Sequence, residues 1–341
     1  MPNMINVLNT IRANASAAYQ ERVPVATQSN ITEVGNGVMS FKATENEFLS
    51  ALVNKIAMTI VHNKTFRNPL AVLKKGTIPL GKNLEEIYTN PATGTVFDPS
   101  GADLLARNLP DVKAIYHTMN RQGKYKVTVS KAQLITAFRS YAELEKLLNT
   151  IVNSIYSGDN LDEFMLMKEL FASAITGGKL KTVDIDAVTN TDSAKAFVKS
   201  VKTVGQAMTF PSQSFNSYYD INQDTDAKPV ITWTPLENQV LILRNDVSVE
   251  VDVELLAQAF NVSYTDLQQR TIIVDGFGRA TNCNAVLCDA AFVQVYDQLQ
   301  QMENFHNGEG LYDNFIYHHW QMYSLSLFAN AVAFVTPAAN G

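Results

Sequence analysis

The sequence predicts an α+β fold of more than one sub-domain, on three observations. Apolar residues recur at helical spacing from Tyr141 to Ile175, segments such as Lys124 to Val129 alternate polar and apolar residues, and a stretch rich in proline and glycine runs from Asn90 to Pro110. With 341 residues, 46% hydrophobic and 18% charged, the chain can bury a sizeable core but exceeds the usual size of one domain. A formal net charge of −6 without any clustered run of Lys and Arg argues against a protein that coats nucleic acid by neutralising phosphates. The longest apolar run, Leu325 to Val335, is interrupted by Asn330 and falls short of the ~20 residues a membrane helix needs, so no membrane partner is expected.

The elements follow in order. Residues 1–44 are rich in Asn, Ser, Thr and Ala, carry few large apolar side chains and include Gly35 and Gly37. That composition predicts an N-terminal arm lying on other structure, unable to bury much by itself. The polar start Met1-Pro2-Asn3 lacks a secretory layout, which implies synthesis in the cytoplasm, and removal of a long N-terminal segment is not expected. Thr44 and Glu47 form a capping pattern ahead of Phe48, Leu49, Leu52, Val53, Ile56 and Ile60, predicting an amphipathic helix over 45–63.

Strand character returns at Thr77 to Tyr88. Pro91, Gly94, Pro99, Gly101 and Pro110 then forbid a regular ladder, so 90–110 reads as a long loop. Returning strands are expected at Val112 to Met119 and Lys124 to Val129, with Arg121 to Gly123 as the turn between them. Gly158 divides the long helical pattern into one helix to about 157 and a second over about 160–176, the latter started by Asp159, Asp162 and Glu163 and stopped by Gly177 and Gly178. Beyond it come a helix at Asp192 to Met208, a strand at Gln239 to Leu243, a helix at Val251 to Phe260, a strand at Thr271 to Val274 and a long strand at Asn284 to Tyr296. Together they suggest a mixed sheet with flanking helices. The aromatic tail from Tyr312 to Val335 reads as paired strands returning to an earlier part of the fold.

Candidate chemistry is sparse. Cys283 and Cys288 match neither a disulfide framework nor a zinc spacing and read as reduced, partly buried thiols. Gly276-Phe-Gly278 follows a strand as a dinucleotide motif does, but Thr281 stands where the third glycine belongs, so a plain turn is expected. His318 and His319 point to opposite faces of a strand, as do Glu85 and Glu86, so neither pair converges on one centre. The five histidines specify no nucleophilic arrangement. Charge is more informative: residues 70–140 hold ten Lys or Arg against five acids, leaving −11 for the remainder. A basic extended loop on an acidic body suits a segment that lies across a second copy. The inter-subunit candidates are Lys82, Glu85, Glu86, Arg107, Lys113 and Arg121, with Lys82, Arg107 and Lys113 facing acidic groups of a neighbour.

The order of these parts resembles the tailed-phage major capsid protein fold, shared with encapsulin shells and the herpesvirus capsid floor. Two stretches carry the likeness locally: Asp162-Glu-Phe-Met-Leu-Met-Lys-Glu-Leu-Phe171 is similar to the family's spine helix, and His319-Trp320 through Val335 to its closing strands. The resemblance implies an N-terminal arm (1–44), a helix and connection (45–75), an extended hairpin loop (76–119), an axial domain (179–295) and a peripheral domain (120–178 with 296–341) containing a spine helix at 159–176. It further implies a non-enzymatic virion component without cofactor, metal or catalytic residues, assembling into pentamers and hexamers of an icosahedral head around double-stranded DNA. DNA contact would be non-specific, and portal, scaffolding or decoration proteins would be partners. Residues Gln213 to Lys228 are the candidate contact around the ring axis. Lys74, Lys75 and Lys82 do not align with the family's cross-linking lysine, so no cross-link is expected. An encapsulin-like compartment, a phage tail component, or a nucleotide-binding enzyme using the 271–281 turn are the alternatives.

Overall fold

In the computed structural model, which describes residues 4–58, 66–97, 99–101, 105–218, 228–251 and 271–337, the N-terminal segment is not a bare arm. It coils into helices α1 (Met4–Asn14), α2 (Ala17–Arg22) and α3 (Ile31–Met39), followed by α4 (Lys42–Met58). Few large apolar residues suffice because they fall on one side: Leu8, Ile11, Tyr19, Val23, Ile31, Val34 and Val38 are all buried. Gly35 and Gly37, read from sequence as signs of an unpacked arm, are instead close-approach positions. A Cβ at Gly35 would stand 2.4 Å from Phe138 Cβ, and one at Gly37 would stand 2.6 Å from the Arg22 carbonyl oxygen. Helix α4 starts before the proposed cap. The Thr44 hydroxyl donates to the Val38 and Phe41 carbonyls, while Glu47 accepts from the backbone N–H and hydroxyl of Ser16, the N-cap of α2.

Strands β1 (Gly76–Thr77), β2 (Leu84–Thr89) and β3 (Val112–His117) come next, and β2 pairs antiparallel with β3 from Leu84↔His117 to Thr89↔Val112. Arg121 to Gly123 are not a turn, because they already belong to β4 (Arg121–Ser130), which pairs with a later strand rather than with β3. A capping box between Ser130 and Gln133 opens α5 (Lys131–Ala137). Helix α6 (Tyr141–Thr176) then runs 36 residues through Gly158 without a break. A glycine inside a helix costs only ~1 kcal/mol relative to alanine, and buried residues on both flanks, from Ile151 and Ile155 to Met167 and Phe171, outweigh that. Asp159 does not start a second helix; its carboxylate is taken by Arg121 and His319. The predicted stop holds: Gly178 adopts φ +65° and the Lys179 N–H returns to the Ala174 carbonyl.

The remaining strands and α-helices among the described residues are β5 (Lys181–Asp184), α7 (Thr191–Ala207), β6 (Gln239–Arg244), α8 (Asn245–Glu250), β7 (Thr271–Val274), β8 (Cys283–Asp289), β9 (Val293–Asn307), β10 (Tyr312–Leu325) and β11 (Ala331–Val335). The single strand expected over Asn284 to Tyr296 is two, because Ala290 N–H bonds to Asn238 and Phe292 N–H turns back to Asp289. The helix expected at Val251 to Phe260 lies outside the described residues.

The chain forms two units: unit 1 is Met1–Asn68, Arg121–Glu163 and Asp297–Gln321, and unit 2 is Pro69–Asn120, Phe164–Tyr296 and Met322–Gly341. In unit 1, β4 and β10 run antiparallel from Tyr312↔Ser130 to Gln321↔Arg121, and one core joins the N-terminal helices, α5 and the first part of α6 to Val129, Phe315 and Tyr317. Unit 2 is built on a mixed sheet ordered β5-β11-β8-β6-β7. Its central strands are apolar on both faces. Val286, Cys288, Ala333 and Val335 face a core with Phe164, Met167 and Phe171, whereas Ala285, Leu287, Val332 and Phe334 face one with Phe197, Val198 and Val201 of α7.

Candidate assembly interface

The β2–β3 hairpin is fastened at its root and open at its tip. Root residues pack within unit 2: Tyr88 stacks on Phe328 at 5.5 Å, and its hydroxyl donates to the Ile231 carbonyl at 2.6 Å. His117, buried, bonds Ser324 Oγ at 2.6 Å and Glu86 at 3.0 Å, and Ser326 Oγ donates to the other oxygen of Glu86 at 2.6 Å. Asn90 closes the tip's neck by donating to Asp111 and to the Pro229 carbonyl. Hydrogen bonds from Lys113 and Asn90 hold the Asp111 carboxyl below its usual range.

Beyond that neck the described residues form no strand or helix, in keeping with the prolines. Val96, Phe97, Leu105 and Leu109 stand in solvent at 92%, 86%, 92% and 84% exposure. Large apolar side chains exposed to this degree are a common feature of interaction surfaces. The charge balance of the loop does not reveal these residues, although Val96-Phe97 and Leu109 stand in the sequence as apolar side chains between prolines.

The charged candidates divide. Lys82, Glu85 and Arg107 lie exposed on the hairpin or its approach, Glu85 accepting a hydrogen bond from Tyr116 across the strand pair at 2.8 Å. That bond and the Glu85 charge raise the Tyr116 phenol. Lys113 instead pairs with Asp111 at 2.8 Å with its side chain only 9% exposed, and Glu86 is taken by His117 and Ser326. Of the Gln213 to Lys228 stretch, 219–227 lie outside the described residues, as do Asp98 and Asp103.

Arg121, half-buried, has its guanidinium engaged within its own chain. It sits in a buried polar cluster of unit 1, donating to Asp159 Oδ1 at 3.0 Å, to Tyr125 Oη at 2.5 Å and to Gln321 Oε1. Asp159, Glu163, Asp297, His319 and Gln321 are all less than a tenth exposed. The spacing of Glu163, Asp297 and His319 would admit a cation. Every carboxylate oxygen there already has a hydrogen-bonding partner, however. Glu163 accepts from Asn68 and Gln321, Asp297 from Gln321 and Gln300, and Asp159 from Arg121, while the two ring nitrogens of His319 face Asp159 and Asp297. Hydrogen bonding, not ligation, accounts for the spacing. Because β4 and β10 alternate, sequence could place Arg121 and His319 on some inward face, but only their register brings them to α6.

The glycine turn at Gly276 and Gly278 leads into β8, a strand, so it lacks the helix N-terminus a dinucleotide site requires. Cys283 and Cys288 are free and fully buried, and burial pushes both thiols up to about 12. No described helix is long and apolar enough to cross a membrane.

A family model for the Phi29-like phage major capsid protein matches residues 8–335. A major capsid protein of Bacillus phage B103 is 36% identical, the alignment covering 97% of this chain and 72% of that one. Another, of Streptococcus phage Cp-1, is 31% identical over 96% of this chain and 92% of its own. The fold is similar to that in the capsid structure of Staphylococcus phage Andhra, with a TM-score of 0.67 at 13% identity, covering 82% of this chain and 87% of that one.

Proposed function

Because the chain belongs to the Phi29-like phage major capsid protein family, we propose that its copies close into the pentamers and hexamers of an icosahedral phage head through contacts that include the tip of the β2–β3 hairpin. Building the capsid shell of the virion is its role. The observation that carries it is the four apolar tip residues held 84–92% in solvent on a root that is itself packed. A buried root and a wet apolar tip are what a strap across a neighbour needs, since the neighbour then covers surface the subunit cannot cover itself. Lys82, Glu85 and Arg107 flank that strap and would set its register by charge.

In family terms we assign 76–119 to the extended loop, the 159–176 part of α6 to the spine, 179–295 to an axial domain, and 120–178 with 296–341 to a peripheral domain. The role needs no catalysis: self-association repeated around closed rings turns modest contacts into a stable shell. Packaged DNA would meet an acidic protein and be held only weakly. Portal, scaffolding and decoration proteins are the further partners proposed. Electron microscopy of the recombinant protein, alone and with its neighbouring gene products, tests the reading. Closed icosahedral particles are expected; small oligomers under every condition would refute it.

A further inference from the structure

The imidazole of His319 lies between two carboxylates, Nδ1 at 2.6 Å from Asp159 Oδ2 and Nε2 at 3.0 Å from Asp297 Oδ1. A neutral imidazole has one N–H, so it can donate to only one of them and turns a lone pair toward the other. We propose that His319 is carried as an imidazolium, and that its proton is a structural part of unit 1, clasping α6 to strands β9 and β10. Asp159 lies on α6, Asp297 on β9 and His319 on β10, so the one cation bridges three elements.

The surroundings fit a cation. Facing it are Asp159 and Glu163 from α6, Asp297 from β9, and Tyr317 and Gln321 from β10; Arg121 and Tyr125 approach from β4. Without the proton the ring would turn a lone pair onto one of the two buried carboxylates that flank it. Burial alone would push the imidazole down, but the hydrogen bonds to Asp159 and Asp297 and their charges outweigh it, so the group lies above its ordinary value. Tyr317, Tyr125 and Tyr156 are all raised, chiefly by burial and further by the negative charge of Asp159, and remain neutral donors or spectators.

Deprotonation has a defined structural consequence. Gln300 Nε2 lies 3.2 Å from His319 Nε2 and 3.3 Å from Asp297 Oδ2. When the ring is charged, Gln300 donates to Asp297; when it is neutral, Gln300 is free to donate to the ring nitrogen, and the β9 contact to His319 passes from a charged pair to a neutral one. A raised folded-state pKa makes this stabilisation complete below the unfolded value of ~6.5 and lost as pH rises through the folded value. Alkaline loosening of the clasp follows.

Magic-angle-spinning NMR of the full-length protein with 15N-labelled histidine tests this, the His319 signals being assigned by their absence from His319→Gln. At pH 7, where an ordinary imidazole is about three-quarters neutral, both ring nitrogens of His319 should show protonated shifts. Hydrogen exchange of amides 155–163 and 317–321, corrected for intrinsic rates, should accelerate on raising pH in the wild type by up to about tenfold per unit, and should stay flat in His319→Gln. One deprotonated ring nitrogen at pH 7, or equal pH slopes in both proteins, would overturn the proposal. If the variant fails to fold, the wild-type ring shifts decide the matter, with assignment by 15N–13C correlation to the Tyr317–Gln321 backbone.

Discussion

The hairpin tip offers a direct test of how the copies meet. Replacing Val96, Phe97 and Leu109 with serine alters side chains that are 92%, 86% and 84% exposed in the subunit, so its own stability should shift by no more than ~0.5 kcal/mol each. At an interface the same residues matter far more. Full burial of such a side chain contributes ~1.5–3 kcal/mol, and taking each as about half covered by the neighbour gives ~3 kcal/mol for the three. At 1.4 kcal/mol per factor of ten, the concentration needed for assembly should rise roughly 100-fold. Sedimentation velocity across a concentration series, read beside thermal unfolding of the dissociated subunit, separates the two effects. Particles forming at the wild-type concentration would refute the reasoning, because the tip would then lie outside every interface; a subunit melting many degrees lower would show that the tip packs on its own chain.

Further outcomes follow from the packing. Arg121→Met should destabilise the subunit by ~1.5–3 kcal/mol in chemical denaturation, since Asp159, Tyr125 and Gln321 lose a charged donor; a folded, fully stable variant defective only in assembly would restore Arg121 to the surface role its sequence suggested. Gly35→Ala should cost ~1–3 kcal/mol through the clash with Phe138. Gly158→Ala should instead be neutral or stabilise by up to ~1 kcal/mol, because its Cβ would meet Tyr125 at an ordinary 3.4 Å inside a continuous helix. With thiols pushed up to about 12 and fully buried, Cys283 and Cys288 should not react with a thiol reagent at pH 8 until the protein is denatured.

The elements whose identity depends on neighbours in sequence were legible in sequence. Helix α7 appears within a residue of its expected bounds, capped by Asn190, and the Lys124 to Val129 alternation survives as one face of β4. The proline-rich tip is irregular wherever it is described. The architectural likeness to phage capsid proteins likewise rested on the order of elements, which a sequence preserves.

What tertiary structure alone decided is where contacts between distant residues outweigh a local signal. Gly158 reads as a break because glycine disfavours helices by a small amount, and a helix packed on both flanks overrides that amount. Gly35 and Gly37 read as looseness, yet they mark close approaches of the N-terminal helices, since the absence of a Cβ serves either purpose and only the partner reveals which. Arg121 and His319 are 198 positions apart, outside the reach of any spacing rule. The β4–β10 register and one turn of α6 bring them to the same buried carboxylate, and that is a property of the fold.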